Sequence, residues 1–218
     1  MESFKVYIGW DPRDVDAYRV AEYTLRKNSS IPLTIEPLID WKLRARGIYM
    51  RPYHVDEKGQ KWDVRDGKPF STEFSFTRFA IPLLEGYDNN WVLFVDPDVL
   101  FQGDIADVIS VLDPECEVAC VKHQHVPEDQ EKMGGLIQTQ YHRKNWSSFM
   151  FLNVWRLRAL TRYVLNNETG SFLHGLLWAE DSLIQGLDES WNWLEGWSSP
   201  NIKPNMIHFT NGTPDLPG

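Results

Sequence analysis

Cysteine is nearly absent from this chain of 218 residues, which contains only Cys116 and Cys120. Their CxxxC spacing is neither the CxxC of redox proteins nor half of a recognisable zinc site. A domain of this length buries roughly 70% of its unfolded surface, so it needs no disulfide for stability. We therefore expect two reduced thiols in the core, and a reducing cytoplasm as the compartment.

Long apolar runs and an excess of basic charge are also missing. No apolar run approaches the roughly 18 residues of a transmembrane helix. Residues 1–6 lead directly into a predicted strand, so we expect neither a membrane segment nor a signal peptide. The 22 basic residues against 31 acidic ones give a formal net charge of −9, which argues against a nucleic-acid partner. An acidic protein can still bind a nucleotide diphosphate where a metal ion supplies the positive charge.

The order of the predicted elements indicates one α/β domain over residues 1–218, with a mostly parallel central sheet flanked by helices. Residues 4–9 form an apolar, β-rich run, a helix start and helical spacing follow from residue 11, and residues 33–38 suit a second strand. Further strands are expected at 91–95, 117–121 and 149–154. Further helices are expected at 73–81, 156–165 and 180–187.

Two features remain open to more than one interpretation. Residues 47–71 are polar and contain several glycines and prolines, which predicts a long loop; with residues 128–140 it is expected to form a lid that orders on ligand binding. Ten tryptophans are present, several of them near the carboxyl end. They either fill a small core or provide stacking platforms for a sugar or a nucleobase.

The segment FVDPDVLF, residues 94–101, is the most informative. Asp96 and Asp98 are two apart on an extended chain, so their side chains point the same way, and Pro97 favours extended geometry at Asp96. The apolar run 91–95 suits a buried central strand, and open α/β sheets bind ligands at the carboxyl ends of their strands. Carboxylates there suit Mn²⁺ or Mg²⁺ together with substrate phosphates. The alternative is an ordinary Asp-Pro turn.

The chain resembles GT-A glycosyltransferases, especially glycosyltransferase family 8 and related small viral and bacterial enzymes. Four segments match that family in order, namely VYIGWD, FSFTRFAIPLL, WVLFVDPDVLF and IHFTNG. Two further segments, SSFMFLNVWRLR and AEDSLIQGL, resemble its Asn-bearing strand and its acidic helix. The resemblance implies a GT-A domain that moves a sugar from a nucleoside-diphosphate sugar, with UDP-sugar favoured, to a glycan or other hydroxyl acceptor.

The resemblance also implies a metal centre. Asp96, Asp98 and His208 would bind Mn²⁺ or Mg²⁺, and Asp96 would also touch the ribose of the sugar nucleotide. Arg78 would act in catalysis by holding the diphosphate or bracing the metal carboxylates. Taken alone, His208 could be a structural histidine at a strand end, and Arg78 could be a surface arginine paired with a nearby glutamate.

Four more residues receive roles from the resemblance. Asp11 would meet the nucleobase or ribose, although it could instead cap the helix that follows it. Gly212 would let the backbone approach the diphosphate. Asn153 and Asp181 would be catalytic and would face the donor sugar and the acceptor.

One departure from the family concerns a lysine. Family 8 enzymes usually carry a lysine a few residues past the metal histidine, where it grips the departing diphosphate, and residues 209–218 contain none. Lys203 and Lys122 are candidate substitutes. Retention of configuration is favoured over inversion; an inverting enzyme would use Asp181 as its base, and a retaining one would place it beneath the sugar.

Two other functions compete with sugar transfer. A nucleotidyltransferase would need a Gly-rich phosphate loop with Arg or Lys after the first strand, whereas residues 9–13 read GWDPR. A non-catalytic carbohydrate-binding protein could use the tryptophans, but it would not require Asp96, Asp98 and His208 together.

Overall fold

The computed structural model describes residues 3–88, 90–124, 131–132, 136–137, 143–210 and 212–214. Its strands are β1 (Phe4–Gly9), β2 (Leu33–Leu38), β3 (Tyr53–Val55), β4 (Lys61–Asp63), β5 (Pro69–Phe70), β6 (Trp91–Val95), β7 (Val99–Phe101), β8 (Val118–Cys120), β9 (Glu131–Lys132), β10 (Leu136–Ile137), β11 (Phe149–Asn153), β12 (Ile184–Gly186), β13 (Trp193–Leu194) and β14 (Met206–His208). Its α-helices are α1 (Val15–Asn28), α2 (Asp40–Ala45), α3 (Ile81–Leu84), α4 (Ile105–Ile109), α5 (Arg162–Asn167) and α6 (Gly170–His174).

A six-stranded mixed sheet forms the centre of the domain, with the strand order β12-β8-β11-β6-β1-β2. Its pairings are parallel except those of β11, which runs antiparallel to both β6 and β8. A second sheet, in the order β13-β14-β7, lies where the chain continues from β6. The predicted α/β class and mostly parallel central sheet are confirmed.

The central sheet is buried on both faces. Along β6, Val92 and Phe94 belong to one hydrophobic cluster, whereas Leu93 and Val95 belong to the other. Side chains of a strand alternate between faces, so a strand covered on both sides needs an unbroken apolar run. The sequence WVLFV meets that need and fixes β6 in the middle of the sheet.

Three predicted helices differ from the structure. In place of a helix over 73–81, the chain forms a 3₁₀ turn at Thr77–Ala80 and then α3, because Pro82 lies in the first turn of α3, where its missing N–H costs nothing. The helix predicted at 156–165 begins only at Arg162, where the Thr161 side chain accepts a bond from Val164 N at 3.2 Å. Residues 180–187 form a 3₁₀ turn and then β12, an edge strand parallel to β8.

The predicted loop at 47–71 contains three short strands. Strands β3, β4 and β5 form an antiparallel three-stranded sheet. Arg51 and Asp63, both fully buried, form an ion pair of 2.7 Å within this region. Arg51 Nη1 also donates to Leu165 O at 3.2 Å, which anchors the region to the domain. The second predicted lid, residues 128–140, lies largely outside the described residues, and its described strands β9 and β10 pair antiparallel.

The cysteines and tryptophans fill the core in part. Cys116 and Cys120 are free and buried, as predicted, and burial raises the pKa of Cys120 to about 12. Trp178 and Trp191 are buried, whereas Trp197 keeps 46% of its surface exposed. Within the described ranges, none of the helices has the length and apolar character needed to cross a membrane.

Candidate active site

Two carboxylates follow the end of β6. The backbone N–H of Asp96 donates to Ser148 O at 2.8 Å, which continues the pairing between β6 and β11 for one more residue. Asp98 then lies just before β7, and its carbonyl accepts a bond from Phe209 N at 2.9 Å. Both aspartates are therefore held by backbone hydrogen bonds at the carboxyl edge of the central sheet.

The pairing of β14 with β7 brings a histidine to these carboxylates. The strands are antiparallel, with His208 opposite Val99. His208 Nε2 lies 3.5 Å from Asp98 Oδ1. One ligand atom from each of Asp96, Asp98 and His208, hereafter the Asp-Asp-His triad, lies within 4.8 Å of the others. That span is close to the length of two ligand bonds of about 2.1 Å to one shared ion.

The donor set of the triad fits a divalent cation. Carboxylate oxygens suit Mg²⁺ and Mn²⁺, and an imidazole nitrogen suits transition metals. The two carboxylates and one imidazole would leave the remaining coordination positions to substrate phosphates and water. An ordinary Asp-Pro turn would not require a buried histidine beside the carboxylates.

A buried arginine braces the first carboxylate. Arg78 Nη1 lies 2.9 Å from Asp96 Oδ1 and donates to Ser147 O at 2.7 Å. Arg78 Nε donates to Phe74 O at 3.3 Å, and the guanidinium packs over the ring of Phe94 at 4.8 Å. Arg78 is therefore not a surface residue; of the two roles expected for it, these contacts correspond to bracing the carboxylate.

The glycine that ends β1 makes room for this arrangement. A Cβ atom on Gly9 would lie 2.7 Å from Phe74 Cγ, well inside van der Waals contact. Phe74 can therefore pack directly on the end of β1, where its carbonyl accepts the hydrogen bond from Arg78 Nε.

Asp11 holds its neighbours in the structure. Its carboxylate accepts bonds from the Arg13 side chain at 2.7 and 2.9 Å, from Arg13 N at 3.0 Å and from Glu73 N at 3.1 Å. Burial alone would raise the pKa of Asp11, but these hydrogen bonds outweigh it and lower the pKa. Asp14, and not Asp11, occupies the position before α1. Asp11, two residues past β1, thus joins the end of this strand to the segment that precedes Arg78. Strand β1 is a neighbour of β6 in the central sheet.

The structure does not bring Asn153 to the triad. In the antiparallel pair, Asn153 lies opposite Trp91, the first residue of β6. That position is roughly 16 Å along the strand from Asp96 at about 3.3 Å per residue. Asn153 Nδ2 donates instead to Pro114 O at 3.1 Å and Cys116 O at 2.9 Å. These contacts tie the start of β8 to the end of β11.

The remaining two predicted residues lie in different settings. Asp181 is 78% exposed at its side chain and forms an ion pair with Arg143, which connects it to the segment entering β11. Gly212 has φ of 114° and donates to Phe209 O at 3.0 Å. A backbone of this conformation after β14 favours glycine.

A cavity of about 520 Å³ opens at the same edge of the sheet. Its walls follow the ends of β8 and β12 and include Lys122, Gln124, Glu189 and Trp197. Leu194 also lines it, and this residue pairs with His208 in the parallel pair β13-β14. The cavity is therefore one strand away from the triad.

The position of the cavity separates the two candidate lysines. Lys122 lines the cavity, with its Nζ 5.8 Å from the centre of the Trp146 ring. Lys203 is exposed and lies before the first residue of β14, whereas His208 is the last residue of that strand. Of the two, Lys122 lies near the candidate site.

The sequence did not indicate the residues that form hydrogen bonds with the triad or with Arg78 beside it. Asn192 lies in a 3₁₀ turn, is fully buried, and places its Oδ1 3.0 Å from His208 Nδ1. Ser147 and Ser148 provide the carbonyls for Arg78 and Asp96. No motif marks these residues, because they lie in short irregular segments without periodicity.

Comparison with known proteins gives one sequence relative and several structural ones. No family model matches the chain. It is 38% identical over 220 residues to Protein CDI of Arabidopsis thaliana. The alignment covers 98% of this chain and 80% of that protein.

Solved glycosyltransferases share the fold. Mouse xyloside xylosyltransferase 1 matches with a TM-score of 0.58 and 12% identity, over 99% of this chain and all of that one. The glycosyltransferase GlyE of Streptococcus pneumoniae matches with a TM-score of 0.55 and 16% identity, over 94% of this chain and 55% of that one. The galactosyltransferase LgtC, solved with donor and acceptor sugar analogues, matches with a TM-score of 0.56 and 9% identity, over 94% of this chain and 87% of that one. The chain has the GT-A glycosyltransferase fold.

Proposed function

The chain belongs to the family of Protein CDI, and from its GT-A fold and its Asp-Asp-His triad we propose that it is a metal-dependent glycosyltransferase. Its donor would be a nucleoside-diphosphate sugar, with uridine favoured, and its acceptor a hydroxyl group. The observation that carries the proposal is the convergence of three ligand atoms within 4.8 Å at the carboxyl edge of the sheet, where open α/β sheets bind their ligands.

The chain's own residues would prepare this site for a diphosphate. A divalent cation, Mn²⁺ or Mg²⁺, would supply Lewis-acid stabilisation of the leaving group when bound by Asp96, Asp98 and His208. Arg78 would keep the Asp96 carboxylate in place and add fixed positive charge at the site. Asp11 would order Arg13, whose side chain is 54% exposed, for contact with the nucleotide. Gly212 would allow backbone to approach the diphosphate.

In the transfer itself, the bond between the anomeric carbon and the diphosphate oxygen breaks, and the acceptor oxygen bonds to that carbon. The proton of the acceptor hydroxyl leaves to the departing diphosphate. We favour retention of configuration. The ion pair with Arg143 engages the Asp181 carboxylate with a cation, which argues against its use as the base of an inverting enzyme.

The cavity beside the triad is the proposed acceptor site. Its volume of about 520 Å³ is in the range of ligand pockets, about 300–1,000 Å³. Trp197 offers an apolar ring face, and Lys122, Gln124 and Glu189 offer charged and amide groups. One aromatic face together with several hydrogen-bonding groups suits a carbohydrate.

The test is a panel of sugar nucleotides incubated with Mn²⁺, with the released products identified. We expect free nucleoside diphosphate from at least one donor, and loss of this release in EDTA and in Asp98→Asn. Asp16→Asn removes an exposed carboxylate of α1 and should retain release.

Three results would contradict the proposal. Release of nucleoside monophosphate or pyrophosphate would indicate nucleotidyl transfer. Sugar binding without cleavage of any donor would indicate a carbohydrate-binding protein. Full activity of Asp98→Asn would remove the triad from the mechanism.

A further inference from the structure

A buried asparagine links the imidazole of His208 to the segment that precedes β11. Asn192 Oδ1 lies 3.0 Å from His208 Nδ1. Its Nδ2 donates to Asn145 O at 3.2 Å and to Ser148 Oγ at 3.1 Å. Asn192 is fully buried, so its polar atoms depend on these partners for hydrogen bonding.

The two partners of Nδ2 fix the orientation of the Asn192 amide. A backbone carbonyl such as Asn145 O has no hydrogen, so the amide atom facing it must be the donor. Ser148 Oγ gives its own hydrogen to Asn145 O at 2.7 Å, so towards Asn192 it can only accept. Both contacts place the NH₂ group on this side and the amide oxygen towards His208.

The orientation of the amide determines the tautomer of His208. Asn192 Oδ1 can only accept, so Nδ1 of His208 carries the hydrogen. A neutral imidazole has one such hydrogen, which leaves a lone pair on Nε2. Nε2 is the atom that lies 3.5 Å from Asp98 Oδ1. The imidazole therefore presents to the carboxylates the unprotonated nitrogen that metal ligation requires.

The same asparagine connects the two chain segments that carry the triad. Ser148, which accepts from Asn192, also accepts the backbone N–H of Asp96 through its carbonyl at 2.8 Å. Asn192 thus lies between the end of β6 and the end of β14.

We propose that Asn192 is a positioning residue that holds His208 in the Nδ1–H tautomer and in register with Asp96 before any cation binds. The inference rests on the proposed metal site. Hydrogen-bond partners of metal ligands typically change metal affinity by about 10–100-fold, and we expect a loss of that size when the acceptor for Nδ1 is removed.

The experiment compares two substitutions and one control. Asn192→Leu removes the acceptor for Nδ1, whereas Asn192→Asp keeps an oxygen there. Asn166→Leu is the matched control, because Asn166 is also buried and donates to the carbonyls of Ile48 and Arg162. Its neighbours Ile48 and Leu165 lie in the hydrophobic cluster opposite that of Val99 and Met206.

The first measurement is the ¹⁵N spectrum of the histidine side chains in metal-free protein at about pH 8, above the ordinary histidine pKa of about 6.5. The His208 signals are assigned by their loss in His208→Gln. We expect hydrogen on Nδ1 in the parent, in Asn192→Asp and in Asn166→Leu, and a mixture of tautomers in Asn192→Leu. Hydrogen on Nε2 and none on Nδ1 in the parent would overturn the inference, whether or not any variant folds.

The second measurement is Mn²⁺ affinity by electron paramagnetic resonance. We expect about 10–100-fold weaker binding in Asn192→Leu, near-parental binding in Asn192→Asp, and parental binding in Asn166→Leu. Equal affinity in the parent and Asn192→Leu would refute the role of Asn192 while leaving the metal site standing. No Mn²⁺ binding by the parent would instead refute the proposed function, and the tautomer would still be decided by the first measurement.

Discussion

The guanidinium of Arg78 lies 2.9 Å from the carboxylate of Asp96, and both residues are buried. The pair puts a fixed positive charge behind one ligand of the triad, on the side towards Ser147. A second cation at the triad would share the same carboxylate. The two positive charges therefore act on one group, and removal of either should alter the effect of the other.

Replacing Arg78 by methionine should lower the free energy of unfolding by about 3–5 kcal/mol without metal, because a buried carboxylate loses its partner. Mn²⁺ should recover part of this loss, since it restores positive charge beside Asp96. Urea unfolding with and without Mn²⁺ measures both quantities. In an Asp96→Asn background, replacing Arg78 by methionine should lower the free energy of unfolding by less, because residue 96 no longer carries a negative charge. An equal cost in both backgrounds would show that Arg78 acts through packing alone.

His174 should make the protein less stable in mild acid. Burial lowers its pKa well below the ordinary 6.5, and the positive charges of Arg78, Lys144 and Arg51 lower it further. The folded protein therefore keeps His174 neutral while the unfolded chain takes up a proton below about pH 6.5. Its contribution is fully present above that pH and is lost as the pH falls, by up to about 1.4 kcal/mol per pH unit.

The corresponding variant is His174→Gln, which should flatten the decline in unfolding free energy between about pH 6.5 and 5.5. A glutamine can still hydrogen-bond to Ser147 Oγ, which lies 2.9 Å from His174 Nδ1. His54→Gln, at an exposed position of β3, is the control and should keep the parental slope. An unchanged slope in His174→Gln would contradict the burial of a neutral imidazole.

Trp197 should contribute to acceptor binding. Removing its ring in Trp197→Ala should raise the acceptor KM by about 2–13-fold, as expected for the loss of one stacking contact of about 0.5–1.5 kcal/mol. Mn²⁺ affinity should stay parental, because the triad is untouched. Trp41→Ala is the control, since Trp41 is exposed on α2. A parental acceptor KM in Trp197→Ala would place the acceptor elsewhere.

The strands that carry the site could be predicted from local patterns. The runs ending at Gly9 and Val95 are apolar and bounded by turn residues, and both strands appear with the predicted bounds. Asp96 and Asp98 follow directly, so their place at the sheet edge needed only the identification of β6.

The direction and partners of the later strands could not be predicted in this way. A local pattern gives the same signal for a strand that runs either way, and β11 proves to be antiparallel to β6. Asn153, at its carboxyl end, therefore lies at the edge opposite Asp96. His208 reaches Asp98 through the pairing of β14 with β7, a contact between distant parts of the sequence that only the resemblance to family 8 suggested. Asn192 had no signal of either kind.

The most direct test of the metal site is calorimetric titration of Mn²⁺, in the presence of UDP, into the folded parent and into His208→Ala. We predict one Mn²⁺ per chain for the parent and at least about tenfold weaker binding for His208→Ala. The loss in Asp98→Asn should be at least as large, because a charge is removed with the ligand. His54→Ala should bind as the parent does. Unchanged Mn²⁺ affinity in folded His208→Ala would contradict the shared site and leave His208 as a structural histidine.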